Sequence, residues 1–73
     1  MVNELELEKA ITDSGKTKTF LANKCGMTIQ TFRLKCTNRS DFTNVETDIL
    51  CGELGIRTLT RMHEIFFAKN VDK

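Results

Sequence analysis

Three of the four glycines in this chain stand directly behind a stretch in which apolar residues recur every three or four positions. That spacing lays side chains along one face of an α-helix, and glycine tolerates the left-handed backbone that commonly closes one. Leu7, Ala10, Ile11 and Ser14 precede Gly15; Leu21, Ala22 and Cys25 precede Gly26; Ile49, Leu50, Cys51 and Leu54 precede Gly55. No strand is expected from this patterning. Proline is absent, and no repeat or low-complexity tract suggests a linker. The expected fold is therefore all-α, a single compact bundle of about five short helices over residues 1–73.

Capping residues give the expected bounds. Asn3, with Glu6 three positions on, has the form of a capping box for a first helix over Glu4–Ser14. Thr17 caps a second helix, Lys18–Cys25. Thr28 caps a third, from Ile29 to about Thr37, with Phe32 and Cys36 as its inward pair four residues apart. The residues from Thr37 to Asp41 read as a polar loop. Thr43 and Glu46 form a second capping box ahead of Asn44–Leu54, where Val45, Ile49, Leu50 and Glu53 trace the helical period. Ile56, Leu59, Met62, Ile65 and Phe66 place a fifth helix from Thr58, with Phe67 and Val71 continuing the apolar character. A core drawn from 73 residues is marginal, which favours tight helix packing or self-association.

Composition narrows the function classes. Hydrophobic residues make up 40% and charged residues 29%, as in an ordinary globular domain. No apolar run reaches the roughly 18 residues that a membrane span requires. The first residues lack the basic start and apolar stretch of a signal peptide, so a cytoplasmic location is expected. Cys25, Cys36 and Cys51 are odd in number and contain no C-x-x-C pair, and His63 is the single histidine. Three reduced thiols packed as small hydrophobes are expected, with no metal and no cofactor. There is no paired-carboxylate site, nucleophile elbow or phosphate-cradling glycine loop, so an enzyme is not expected.

The net charge is only +1, but its distribution is uneven. Residues 1–15 set Glu4, Glu6, Glu8 and Asp13 against Lys9, a balance of −3. Residues 16–40 carry Lys16, Lys18, Lys24, Arg33, Lys35 and Arg39 with no acid, a balance of +6. Residues 41–73 return to −2. A basic, acid-free block between acidic flanks suits a polyanion partner as well as a solvated face.

Within that block Ala22 and Gly26 stand four apart. In a helix-turn-helix the first helix carries a small residue where the second approaches, and the turn four positions later needs a left-handed residue. Phe32, six positions past the glycine, anchors the second helix. The unit spans about residues 17–37. If the helix from Ile29 enters a major groove, Thr28, Gln30, Thr31, Arg33 and Leu34 face the base edges. Gln30 suits adenine and Arg33 suits guanine or a phosphate, while Ile29 either touches a thymine methyl or packs inward. Lys16, Thr17, Lys18, Lys35, Asn38 and Arg39 are the candidates for the DNA backbone.

The run Ser14-Gly15-Lys16-Thr17-Lys18, with Leu21-Ala22 and Cys25-Gly26-Met27-Thr28, resembles the start of a phage Cro-like domain. Asp41-Phe42-Thr43, Glu46, Leu54-Gly55-Ile56 and the run from Phe66 to Val71 are similar to short Cro repressors of temperate phages of Gram-positive bacteria. The resemblance covers nearly the whole chain. It implies a lambda-repressor-like helix-turn-helix domain, double-stranded operator DNA as partner and a weak homodimer, formed only on DNA or also off it. One departure stands out. Lambda-type motifs carry an apolar residue three positions after the Phe32 anchor, where this chain has Lys35, and Cys36 would take that packing role one position later. Some small phage proteins of this type instead bind the phage repressor, and the same helix would serve that docking. Ile65, Phe66, Phe67 and Val71 are the candidates for a dimer or partner surface, although the Phe66-Phe67 pair suits a core equally.

Overall fold

Every helix starts on a side-chain oxygen. The computed structural model describes residues 1–68, which form α1 (Glu4–Ser14), α2 (Lys18–Lys24), α3 (Ile29–Cys36), α4 (Asn44–Leu54) and α5 (Leu59–Phe66). Asn3, Thr17, Thr28, Thr43 and Thr58 are their N-caps, and each accepts a hydrogen bond from the backbone N–H three residues on. The Thr43–Glu46 capping box closes in both directions, with Thr43 N–H donating to Glu46 at 2.9 Å. The expected box at Asn3 closes in one direction only. Asn3 N–H donates instead to the Ile65 carbonyl at 2.8 Å, and the Glu6 carboxylate turns to Arg61 at 2.8 Å.

No strand occurs among the described residues, and the helices pack as a small all-α bundle. Its core is Val2, Leu7, Ile11, Leu21, Ala22, Phe32, Cys36, Leu50, Cys51, Ile65 and Phe66, so each helix contributes. Phe32 meets Phe42 edge-on with ring centroids 5.9 Å apart, and Phe42 meets Phe66 in the same way at 5.8 Å. This chain of rings joins α3, the α3–α4 connection and α5. No described helix is long and apolar enough to cross a membrane.

The structure corrects several of the expected bounds and faces. α2 ends at Lys24, because Cys25 is the capping residue of the turn, and α3 ends at Cys36 for the same reason at Thr37. α4 is rotated from the expected face: Thr47, Leu50 and Cys51 point inward, with Leu54 partly buried, and Val45 is 68% exposed. Residues 47, 50, 51 and 54 share one face, and position 45 lies off it. Leu59, expected to face inward, is also exposed.

The three cysteines are free thiols. Burial pushes the Cys36 thiol up to about 12, with Lys18 pulling weakly the other way. Burial also raises Cys51 and, helped by Glu46, the half-exposed Cys25. Because the thiolate is the reactive form, a thiol reagent at neutral pH should modify Cys25 first and Cys36 only on unfolding. Mass spectrometry of a labelling time course checks the order, and Cys36 reacting first would contradict it.

Candidate functional site

The joint between α2 and α3 is built as the Ala22–Gly26 spacing anticipates. Ala22 is buried. Gly26 sits at φ +75°, where a side chain would be strained. Gly26 N–H donates to Asn23 C=O and Met27 N–H to Ala22 C=O, both at 3.0 Å, so the last carbonyls of α2 are satisfied inside the turn. Thr28 then restarts the chain, accepting from Thr31 N–H at 3.2 Å while its hydroxyl donates to Thr31 Oγ1 at 3.1 Å. Phe32 and Cys36 turn inward as expected, and Phe32 is wholly buried.

That orientation presents the other side of α3 to solvent. Gln30, Arg33 and Leu34 are exposed, as is Thr37 beyond them on the same face. Leu34 is 45% exposed, a large apolar side chain standing among polar ones. Thr28 is exposed and Thr31 half-buried, so the five expected base-reading residues lie together on α3 and its cap. No acid occurs on this helix. Thr37, which belongs to the stripe by the i, i+3, i+4, i+7 spacing from Gln30, was missed because the polar run behind it reads as loop.

The backbone-contact candidates separate into two groups. Lys16 reaches Glu53, with Nζ donating to its carbonyl at 2.7 Å and lying 3.3 Å from its carboxylate. Lys18 pairs with Glu8 at 2.7 Å. Both lysines stand about a third exposed, where an ion pair contributes roughly 0–1 kcal/mol and can be traded for another anion. Thr17 caps α2, accepting from Phe20 N–H at 3.0 Å. Arg39 is exposed, and neither it, Arg33 nor Lys24 pairs with an acid among the described residues. Lys24, absent from the expected set, lies 5.5 Å over the Phe20 ring on the solvent side of α2.

Lys35 and Asn38 are corrections. Lys35 points inward, and its Nζ meets the Glu46 carboxylate at 2.7 Å with both side chains largely covered. Asn38 is engaged by the backbone of Val2. Neither is placed for a flanking phosphate. Ile65 and Phe66 are corrections too. Both are buried in the core of the single chain, so neither offers a surface to a second copy. Phe67 is 41% exposed, with its ring centroid 5.3 Å from that of His63, and Leu59 is exposed on the same side of α5. Val71 lies outside the described residues.

Compared with known protein families, with curated proteins and with solved structures, the chain matches none of them.

Proposed function

We propose that this protein is a sequence-specific DNA-binding regulator of the Cro-like kind, which sets α3 into the major groove of operator DNA. The observation that carries the reading is the acid-free outer face of α3. Gln30, Arg33 and Leu34 stand exposed there, on a helix fixed by a glycine-closed turn and a buried phenylalanine. Gln30 and Arg33 supply the two side-chain geometries that read adenine and guanine, and Leu34 suits a thymine methyl. Arg39 and Lys24 supply charge that no acid among the described residues neutralises. Two copies on half-sites about one helical turn apart would supply the specificity that a single short helix lacks.

Selection from random duplexes, followed by binding measurements on the enriched sequence, tests this. Gln30→Ala and Arg33→Ala should each weaken the selected site by about 1–3 kcal/mol and relax preference at one base pair, whereas Arg39→Ala should weaken all sequences alike. The salt dependence is diagnostic as well. If Lys16, Lys18 and Lys35 keep their carboxylates, then of the six cations in residues 16–40 Lys24, Arg33 and Arg39 release counterions, and log K should fall per copy with a slope of roughly −3 against log salt. A slope near −5 means that the exposed pairs open on DNA.

A second reading has its own observation. Half of the six cations in residues 16–40 are paired internally, and Leu34 leaves an apolar centre on the face. A face of that kind also fits a protein, and the partner in this reading is a phage repressor of the CI type. Failure of selection to enrich any sequence, together with a stable complex with such a repressor that Leu34→Ala abolishes, would move the assignment to a repressor modulator.

A further inference from the structure

α3 does not close on a glycine. Asn38 stands at φ +65° and is the one non-glycine residue with positive φ among the described residues. Arg39 N–H reaches back to Leu34 C=O at 2.9 Å and Asn38 N–H to Lys35 C=O at 3.3 Å, the paired bonds of a Schellman ending. Asparagine tolerates this position because its short polar side chain can hydrogen-bond locally. Here that side chain bonds to a distant part of the chain. Its Oδ1 accepts Val2 N–H at 2.7 Å and its Nδ2 donates to Val2 C=O at 3.0 Å. One amide thus meets both backbone groups of one residue, as a neighbouring strand would.

The same short segment is held from its other side by α5. Asn3 N–H donates to Ile65 C=O at 2.8 Å, and Ala68 N–H donates to Met1 C=O at 3.0 Å. Val2 itself is buried. Residues Met1–Asn3 therefore form a strap whose middle is fastened to the end of α3 and whose flanks are fastened to Ile65 in the last turn of α5 and to Ala68 just beyond its cap. No hydrogen bond among the described residues joins α3 to α5 directly, so the polar connection between them runs through the strap.

We propose that Asn38 is a positioning residue, which through the Met1–Asn3 strap fixes the C-terminal turn of α3, and with it Leu34 and Arg39, against the end of α5. The amide side chain is required in that role beyond its tolerance of positive φ. A residue that only suited the backbone would leave Val2 N–H and C=O without partners at a buried position. Loosening at Asn38 must then spread to Ala68, with which Asn38 shares no bond.

The variant that separates these contributions is Asn38→Gly, which keeps the left-handed backbone and deletes the amide. Amide hydrogen exchange on the free protein reads the strap directly. Protection at Val2, Asn3 and Ala68 is expected to fall about tenfold or more, and protection at Arg39 to fall with it, while Leu50 in the core is unchanged. Unaltered exchange at Ala68 overturns the coupling. If Leu50 also loses protection, Asn38→Asp takes the place of the glycine variant: it keeps the acceptor and sets a carboxylate beside Val2 C=O and Glu4, and the same pattern is expected. A second arm rests on the DNA reading of α3. Discrimination between a selected and a scrambled duplex should fall about tenfold with binding to the scrambled one retained. A loosened strap with discrimination intact overturns the positioning role. Absence of discrimination in the unsubstituted protein overturns the DNA reading alone, and the exchange at Ala68 and Arg39 still decides the strap.

Discussion

Phe32→Ala is expected to leave the chain mostly unfolded at room temperature. Phe32 is wholly buried and stands at one end of the ring chain that continues through Phe42 to Phe66. Truncating a buried phenylalanine costs about 3–5 kcal/mol, because the transfer energy is lost and the cavity collapses only in part. The edge-on contact with Phe42 adds roughly 0.5–1.5 kcal/mol beyond area. A core in a domain of this size rarely supplies more than about 3–5 kcal/mol of net stability, so the loss matches the whole reserve. Phe67→Ala is the control, since that ring is exposed and sits at the end of α5, and it should shift stability by less than about 1 kcal/mol. Urea titration followed by far-UV circular dichroism compares the two. A cooperative transition of ordinary midpoint in Phe32→Ala would mean that the aromatic chain is not the centre of this core.

Phe32 was legible in the sequence because its role is local: it follows Gly26 at a fixed interval and pairs with Cys36 on one helical face. The caps at Asn3, Thr17, Thr28 and Thr43 were legible for the same reason, since each acts on backbone three residues away; Thr58, read as the start of the fifth helix, is its cap. What the sequence did not disclose is what depends on long-range approach. Phe42 lies in a connection with no periodic pattern, and nothing near it signals that it sits between Phe32 and Phe66. Val45 and Leu59 fit an apolar period and yet are exposed, because rotation of a helix about its axis is set by its neighbours. The Phe66-Phe67 pair read as surface or core with equal right, and the packing buries Phe66 while leaving Phe67 exposed. The candidate site divides along the same line. The outward face of α3 follows from the inward one by helical geometry, so Gln30, Arg33 and Leu34 were placed by the sequence. Which cations remain available was not legible, because Glu8, Glu46 and Glu53 reach the basic block from 10 to 37 residues away.

The Lys35–Glu46 pair links α3 to α4, and its replacement separates two roles that one carboxylate combines. Glu46 accepts from Lys35 Nζ at 2.7 Å and from Thr43 N–H at 2.9 Å, so it closes the capping box and neutralises an inward lysine together. Burial pushes its carboxyl upward, but the Lys35 hydrogen bond, the Thr43 N–H and the Lys35 charge outweigh this and hold it below its ordinary range. Lys35→Ala should cost about 1–3 kcal/mol, because it strips a largely covered carboxylate of its cation. Glu46→Ala should cost at least as much, since it unpairs the lysine and opens the cap. The double change Lys35→Leu with Glu46→Gln should lie within about 1 kcal/mol of the starting protein: glutamine keeps the capping acceptor, and leucine supplies the apolar contact that lambda-type motifs place at this position. A carboxylate held low in the folded state contributes fully above the ordinary carboxyl value and loses that contribution as pH falls through its folded-state value. The unsubstituted protein should therefore lose stability on acidification below about pH 4, and the double variant should lose less over the same interval. Denaturation midpoints of these proteins, together with Lys35→Leu and Glu46→Gln alone, at neutral and acidic pH complete the cycle. Additive single and double effects, with identical acid sensitivity, would show that Lys35 and Glu46 are neighbours without being coupled.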